Sequence, residues 1–388
     1  MNSRVRLVDL PAQFTALQPE ITAAVMDVLA RGDYILGRAV AEFETAFAAY
    51  CGTGHAIGCA NGLDGLTLLL QAAEIGSGDE VITQCNSFAA TAYSITRAGA
   101  TPVLVDCRDD DLSMDLDQIE AAITPATRAI VGVHLYGRLL DVVRLREIAR
   151  THGLLVFEDA AQAHGGISPA GGSVAGTLRR AGGLTDAGSF SFYPAKNLGA
   201  AGDGGMVTTD RHDLAERVRL ALNYGQSKRY IHAAPNGTNS RLDTIQAAIL
   251  LVKLGHLDDW NDRRRQVAQW YATALMNTGL HLPPLPPDPR QHVWHLYTVR
   301  VPAGCDRDRV RNILEEQEIE TGLHYPRPIH LQPAFASLNR PRGAFPVAES
   351  AAERLISLPM HPFLTRDDVE RVAAALEGAL SAQEAARP

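Results

Sequence analysis

The chain has 388 residues, of which 46% are hydrophobic, and a formal net charge of −8. At roughly 100–200 residues per domain, this length predicts two or three domains, or one large domain with a smaller partner. The hydrophobic content excludes a disordered chain, and the scattered acidic charge, with no basic stripe, excludes a nucleic-acid partner.

The sequence predicts that the protein does not attach to a membrane. Its first residues, MNSRVRLVDLPAQ, lack the apolar stretch of a signal peptide, and no run approaches the ~20 apolar residues of a membrane helix. Five cysteines lie far apart without a CxxC pair, which favours free thiols in a reducing compartment. We therefore expect a cytoplasmic protein with no membrane partner.

Short apolar runs alternate with helical patterns over the first two thirds of the chain. The runs that predict strands lie at 55–61, 80–84, 101–106, 128–135, 153–159 and 188–193. Between them, apolar residues recur with the spacing of helices. This alternation predicts an α/β fold in which helices flank both faces of a mainly parallel sheet.

The last third of the chain predicts a smaller αβ unit. A long helical stretch over 241–277 is followed by a proline-rich connector over 282–290. Strand, helix, strand and helix patterns then follow at 295–301, 306–319, 320–325 and 365–380. We expect a large domain over 1–255, including the N-terminal segment, and a small C-terminal domain over 256–388.

Two acidic residues, Glu158 and Asp159, end the apolar run GLLVFED. In open α/β sheets, ligands bind beyond the carboxyl ends of the strands. A carboxylate at the end of a buried strand is costly unless a cation accompanies it. That cation is either the protonated nitrogen of a pyridine ring or a nearby Arg or Lys.

A second candidate site is the turn at Asn61-Gly62, between a predicted strand and a predicted helix. The free N–H groups at a helix N-terminus form a ready anion site, and Gly62 allows a phosphate to approach the backbone. A plain βα turn is the alternative.

A third candidate is Lys196, in SFSFYPAKNLGAAGDGG. A lysine in a site with little water has a lowered pKa, and its neutral amine is the nucleophile that forms a Schiff base. The alternative is a lysine that merely follows a strand. The glycines after it follow a loop rather than a first strand, so they do not indicate a dinucleotide site.

Pyridoxal 5′-phosphate needs all three features together. Its phosphate requires an anion site, its ring nitrogen a carboxylate and its aldehyde a lysine. Phe88, which follows the run EVITQ, is a candidate to stack on the ring, with core packing as the alternative.

Motifs along nearly the whole chain resemble those of the DegT/DnrJ/EryC1/StrS family of sugar-nucleotide aminotransferases. They include GCANGLDGLTLLLQA, EDAAQAHG, SFSFYPAKNLGAAGDGG, NSRLDTIQAAIL and HYPRPIHLQPAF, in the family's order. The resemblance implies the aspartate aminotransferase (type I) fold and a pyridoxal phosphate cofactor. It is strongest to the branch that aminates C3 of dTDP-3-keto-6-deoxyhexoses, which implies L-glutamate as the amino donor.

The resemblance also implies roles for individual residues. Lys196 forms the Schiff base and then moves protons, and Asp159 holds the pyridinium. The other implied cofactor contacts are Gln162 at the phenolic oxygen, Ser191 and the amides of Gly62 and Leu63 at the phosphate, and Phe88 on the ring.

The implied substrate contacts come from two subunits. Tyr193 and His324 line the sugar pocket. In a homodimer with shared sites, Asn223 reaches the phosphate from the partner subunit, and Lys228 or Arg229 meets the nucleotide's diphosphate. A surface basic pair and a loop histidine are the alternatives for these residues.

Other functions stay open at this point. The same chemistry on a 4-keto sugar nucleotide or a cyclitol ketone is one alternative, and a non-catalytic, cofactor-binding regulatory homologue is another. The stretch NSFAATAYSI and the glycine-rich segment 167–186 depart from the branch's pattern near the site. The neighbourhoods of His134, His152 and His164 lack metal-ligand spacing, so we expect no metal.

Overall fold

A computed structural model describes residues 4–168, 173–174 and 177–384 of the protein. Parts of the glycine-rich segment 167–186 therefore lie outside the described residues. The α-helices are α1 (Leu10–Arg31), α2 (Arg38–Cys51), α3 (Gly62–Ala72), α4 (Ala89–Ala98), α5 (Ile119–Ala122), α6 (Val142–His152), α7 (His212–Leu222), α8 (Thr244–Leu254), α9 (Leu257–Ala274), α10 (Arg307–Glu316), α11 (Pro346–Arg354) and α12 (Arg366–Glu384).

The strands are short, most of them four or five residues long. They are β1 (His55–Cys59), β2 (Glu80–Gln84), β3 (Thr101–Val105), β4 (Thr127–Val133), β5 (Leu155–Asp159), β6 (Ser173–Val174), β7 (Thr177–Leu178), β8 (Ala187–Ser191), β9 (Gly205–Thr209), β10 (Gln226–Lys228), β11 (Ile231–His232), β12 (Tyr297–Arg300) and β13 (Leu355–Leu358).

A seven-stranded sheet in the order β1-β9-β8-β5-β4-β2-β3 forms the centre of the molecule. The neighbours from β8 to β3 pair in parallel, and β9 runs antiparallel to both β1 and β8. The mainly parallel sheet and its six predicted strands are confirmed. Strand β9 was not predicted.

Helices cover both faces of this sheet. On one face, Phe43 and Phe47 of α2 pack against Phe190 and Phe192, with the Phe47 and Phe190 rings 5.0 Å apart and edge to face. On the other face, the leucines of α3 from Leu66 onwards belong to the same hydrophobic cluster as Val207 of β9. Burying both faces explains why the strands read as nearly continuous apolar runs.

The C-terminal third forms a second hydrophobic cluster around the antiparallel pair β12–β13. The cluster includes apolar residues of α9, α10 and α12, and also Val5 from the N-terminal segment. The division of the chain at residues 255 and 256 stays a prediction.

One element prediction in this region is wrong. The stretch 320–325 makes only an isolated bridge, between Gly322 and Ser357, because His324 and Tyr325 turn towards a cavity. The predicted helical stretch 241–277 is confirmed, and it consists of two helices, α8 and α9, separated at Gly255 and His256. Among the described residues, no helix is both long and apolar enough to cross a membrane.

The packing of α2 on the sheet gives a test of the fold. Phe47 is fully buried among four aromatic rings, so we expect Phe47→Ala to lower the free energy of unfolding by about 3–5 kcal/mol. Met276→Ala is the control, because Met276 is exposed and we expect a change within about 0.5 kcal/mol. Urea titration measures both, and equal effects would contradict this packing.

Candidate active site

A cavity of about 380 Å³ opens beside the carboxyl ends of β5 and β8. It brings together most of the residues that the sequence singles out. These are Gly62, Leu63, Phe88, Asp159, Gln162, Ser191, Tyr193, Lys196 and His324.

Three predicted residues lie outside this cavity. The Asn223 Oδ1 atom accepts a hydrogen bond from Arg241 at 3.0 Å, and Lys228 and Arg229 are exposed on the hairpin β10–β11. Each was assigned to the partner subunit's site. The structure contains one chain, so these assignments stay predictions.

The loop after β8 presents Lys196 to the cavity. The backbone amide of Lys196 donates a hydrogen bond to the Tyr193 carbonyl at 2.8 Å, and this bond closes a turn. The loop is so tight that a Cβ at Gly199 would collide with Pro194. Burial lowers the pKa of the Lys196 amine to about 8, and the charge of Asp159 acts in the opposite direction.

Asp159 is the last residue of β5, and two hydrogen bonds hold its carboxylate. Its Oδ2 accepts a hydrogen bond from the Thr91 hydroxyl at 2.7 Å, and its Oδ1 accepts one from the Ala161 amide at 3.2 Å. Within the described ranges, it forms no ion pair with Arg, Lys or His at contact distance. An Arg or Lys partner, one of the two alternatives for this carboxylate, is therefore not found there.

The neighbouring carboxylate, Glu158, points to the other side of the strand and serves the fold. It accepts hydrogen bonds from the amides of Gly182, Leu184 and Thr185, and it lies 2.9 Å from His134 Nε2. Because the Leu140 amide donates to His134 Nδ1, His134 presents an Nε2–H to the carboxylate. Glu158 is therefore satisfied entirely by the protein.

The N-terminus of α3 forms one wall of the cavity. The Asn61 side chain caps this helix by accepting from the Asp64 amide at 2.8 Å. In the described structure, the amides of Gly62 and Leu63 have no hydrogen-bond partner, as expected for a first helical turn. A Cβ at Gly62 would lie only 3.0 Å from Ser191 Cβ, so a side chain would fill the space beside these amides.

Gln162 is held in one orientation by two contacts. Its Oε1 accepts from the Tyr136 amide at 2.6 Å, and its Nε2 donates to the Tyr325 hydroxyl at 3.0 Å. One Nε2–H remains available to the cavity. Phe88 is 56% exposed and its ring centre lies 5.3 Å from that of Tyr325, so it lines the cavity rather than the core.

His324 is fixed by Ser357, whose Oγ lies 2.8 Å from His324 Nδ1. Burial, together with the nearby Lys196, lowers the pKa of His324 to about 4, so the ring is neutral.

Sequence reasoning missed three further residues at the site, namely Thr91, His295 and Tyr325. Only Tyr325 had a signal, because it follows His324 in the motif HYPRPIHLQPAF.

The fold and this cavity agree with the comparisons with known proteins. A model of the DegT/DnrJ/EryC1/StrS aminotransferase family matches residues 15–377. The chain belongs to this family, which confirms the resemblance seen in its motifs.

Two curated relatives are similar over nearly their whole length. The dTDP-3-amino-3,4,6-trideoxy-alpha-D-glucose transaminase of Streptomyces venezuelae is 45% identical over 370 residues, covering 95% of this chain and 94% of that protein. The dTDP-3-amino-3,6-dideoxy-alpha-D-galactopyranose transaminase of Aneurinibacillus thermoaerophilus is 46% identical over 359 residues, covering 92% and 95%.

A solved structure shows the same fold. The crystal structure of S. venezuelae DesV in complex with a ketimine intermediate has a TM-score of 0.91 to this chain at 44% identity. The match covers 98% of this chain and 99% of that chain.

The two adjacent carboxylates differ in a way that mutation can test. Glu158→Ala leaves several buried donors without an acceptor, so we expect it to lower the free energy of unfolding by about 3–5 kcal/mol. Asp159→Ala removes only the contacts to Thr91 and Ala161, so we expect a loss below about 2 kcal/mol, with activity abolished. Urea titration and turnover assays measure the two effects, and an active Asp159→Ala protein would refute this assignment.

Proposed function

We propose that the protein is a pyridoxal phosphate-dependent aminotransferase that converts the 3-keto group of a dTDP-linked 6-deoxyhexose into an amine, with L-glutamate as donor. The proposal depends on one observation above all: the Lys196 amine and the Asp159 carboxylate face the same cavity. The product would be an amino sugar for an antibiotic or a surface glycan.

The residues of the cavity fit this cofactor. Asp159, which makes no ion pair at contact distance among the described residues, suits a protonated ring nitrogen. The free amides at the start of α3 suit a phosphate, the spare N–H of Gln162 suits the phenolic oxygen, and the exposed ring of Phe88 suits stacking. When bound, the cofactor supplies an electron sink for the carbanion that develops on the reacting carbon.

The chain itself supplies orientation and proton transfer. Because burial lowers the pKa of Lys196 to about 8, a useful fraction of its amine is neutral near that pH and can accept a proton. We infer that Lys196 Nζ removes the proton from the α-carbon of the amino-acid donor and later delivers one to C3 of the sugar. The tight loop around Lys196 would hold the amine in a fixed position relative to a substrate bound in the cavity.

Contacts to the sugar are assigned to Tyr193 and His324, which line the same cavity. Both relatives named above are transaminases of dTDP-3-amino sugars, which favours C3 over C4. Cyclitols carry no diphosphate, so they would leave Lys228 and Arg229 without a role.

A homodimer would complete the site with Asn223 and with Lys228 or Arg229 of the second subunit. The hairpin that carries the basic pair also exposes Tyr230 and Ile231, which are 75% and 56% exposed. Exposed apolar side chains of this size favour an interface. The five cysteines are free thiols in the structure, which fits a location in the reducing cytoplasm.

A non-catalytic regulatory role is the alternative from another class. A protein that merely binds the cofactor does not need a lysine for proton transfer. This chain keeps Lys196, together with Asp159 and Gln162, and all three face the cavity. This argues for catalysis.

Turnover with a panel of nucleotide sugars tests the proposal. We expect the protein loaded with pyridoxal phosphate to be yellow, to lose its colour with L-glutamate and to regain it with a dTDP-3-keto-6-deoxyhexose. The 4-keto isomer and a cyclitol ketone are the controls, and we expect both to react at least tenfold more slowly. Bleaching by glutamate without recovery on any ketone would contradict the proposed substrate class, and no bleaching would favour the regulatory role.

A further inference from the structure

Tyr325 lines the same cavity as Gln162, and the two side chains are joined by a hydrogen bond. The two ends of the Gln162 amide can be told apart. The Tyr136 backbone N–H can only donate, so the atom that lies 2.6 Å from it must be the amide oxygen, Oε1. The amide nitrogen, Nε2, is therefore the atom that donates to the Tyr325 hydroxyl, at 3.0 Å.

Contacts at both ends of the Gln162 amide fix its plane. A bond at Oε1 alone would still allow the plane to tilt. The second bond, at Nε2, prevents this and uses one of the two Nε2 hydrogens. The other hydrogen has no acceptor among the described residues, and because Gln162 lines the cavity, it is available to a ligand there.

Tyr325 is itself held from two directions. Its ring packs against Phe88, with the ring centres 5.3 Å apart. Directly before it in the chain, the His324 carbonyl accepts a hydrogen bond from the Tyr136 hydroxyl at 2.5 Å. Tyr136 thus holds Gln162 through its backbone and the segment 324–325 through its side chain. These contacts form a closed loop that joins the ends of β4 and β5 to the C-terminal third of the chain.

We propose that Tyr325 is a positioning residue, whose hydroxyl holds the Gln162 amide so that its second N–H meets the phenolic oxygen of the bound cofactor. The inference rests on the proposed function, which assigns Gln162 to that oxygen. Tyr325 acts on the cofactor through Gln162 rather than by its own contact. Burial and the charge of Asp159 raise the pKa of Tyr325 above its usual value, so the hydroxyl stays neutral in the experiments below.

The proposed arrangement has a consequence that absorbance measures without turnover. In the yellow protein, the imine nitrogen that Lys196 supplies shares a hydrogen with the phenolic oxygen of the cofactor. A second donor to that oxygen weakens its attraction for this hydrogen, so the yellow colour fades at a lower pH. Loss of the donor therefore moves the midpoint of the colour change to higher pH.

The other titratable groups around Lys196 are the same in every variant below. They are Asp159, His164, Tyr193, Asp203, His295 and His324. A change in the midpoint therefore reports the change at Tyr325 or Gln162.

A double-mutant cycle on the protein loaded with pyridoxal phosphate separates positioning from direct contact. We expect Tyr325→Phe, which keeps the ring and loses the hydroxyl, to raise the midpoint by about 0.5–1 pH unit. We expect Gln162→Ala to raise it at least as much. In the Gln162→Ala background, Tyr325→Phe should change nothing further, because the side chain that it positions is gone.

Tyr297→Phe is the matched control. Tyr297 lies outside the cavity, and its buried hydroxyl has no hydrogen-bond partner within the described ranges, so we expect the wild-type midpoint. An unchanged midpoint in Tyr325→Phe would overturn the inference and leave the proposed function standing. A full effect of Tyr325→Phe in the Gln162→Ala background would also overturn it, because the hydroxyl would then contact the cofactor itself. A wild-type protein that forms no yellow colour would refute the proposed function, and this inference with it.

A measurement on the cofactor-free wild type covers the case in which a variant fails to fold. In ¹⁵N-glutamine-labelled protein, NMR resolves the two Nε2 hydrogens of Gln162. We expect the hydrogen bonded to Tyr325 to exchange with water several times more slowly than the hydrogen that faces the cavity. Equally fast exchange of both hydrogens would show that the amide is not held, and would overturn the proposal.

Discussion

The site depends on one electrostatic arrangement, in which an amine and a carboxylate line the same cavity. Burial lowers the pKa of Lys196, and the charge of Asp159 partly offsets this effect. The Thr91 hydroxyl and the Ala161 amide donate hydrogen bonds to Asp159, so its carboxylate is held in one orientation.

The fold builds this arrangement from distant parts of the chain. Asp159 ends β5, Lys196 follows β8, and these strands are neighbours in the sheet. Thr91 reaches Asp159 from α4, across 68 positions of sequence. The two carboxylates at the end of β5 have different roles. Asp159 faces the cavity, and Glu158 is hydrogen-bonded to His134 and to backbone amides.

Much of the fold could be predicted because its signals are local. A buried parallel strand reads as a short apolar run, and an anion-binding turn reads as Asn-Gly before a helix. Strand β9 was missed because it is short and begins at Gly205, directly after the glycines of the loop. The stretch 320–325 was predicted as a strand from its residues, but tertiary contacts turn His324 towards the cavity.

The site was less predictable, because several of its contacts join residues far apart in the sequence. Nothing near Thr91 or His295 indicates that they lie beside Asp159 and Asn197. The partner-subunit roles of Asn223, Lys228 and Arg229 depend on a second chain, so they stay predictions. Residue type suggested the chemistry of Lys196 and Asp159, and the folded chain was needed to find what supports them.

Reduction with borohydride tests the central claim most directly, because only three lysines can form the adduct. The protein is loaded with pyridoxal phosphate, reduced and mapped by mass spectrometry. We predict a reduced pyridoxyl group on Lys196 and none on Lys228 or Lys253. An adduct on either of the other lysines, or no adduct at all, would contradict the account.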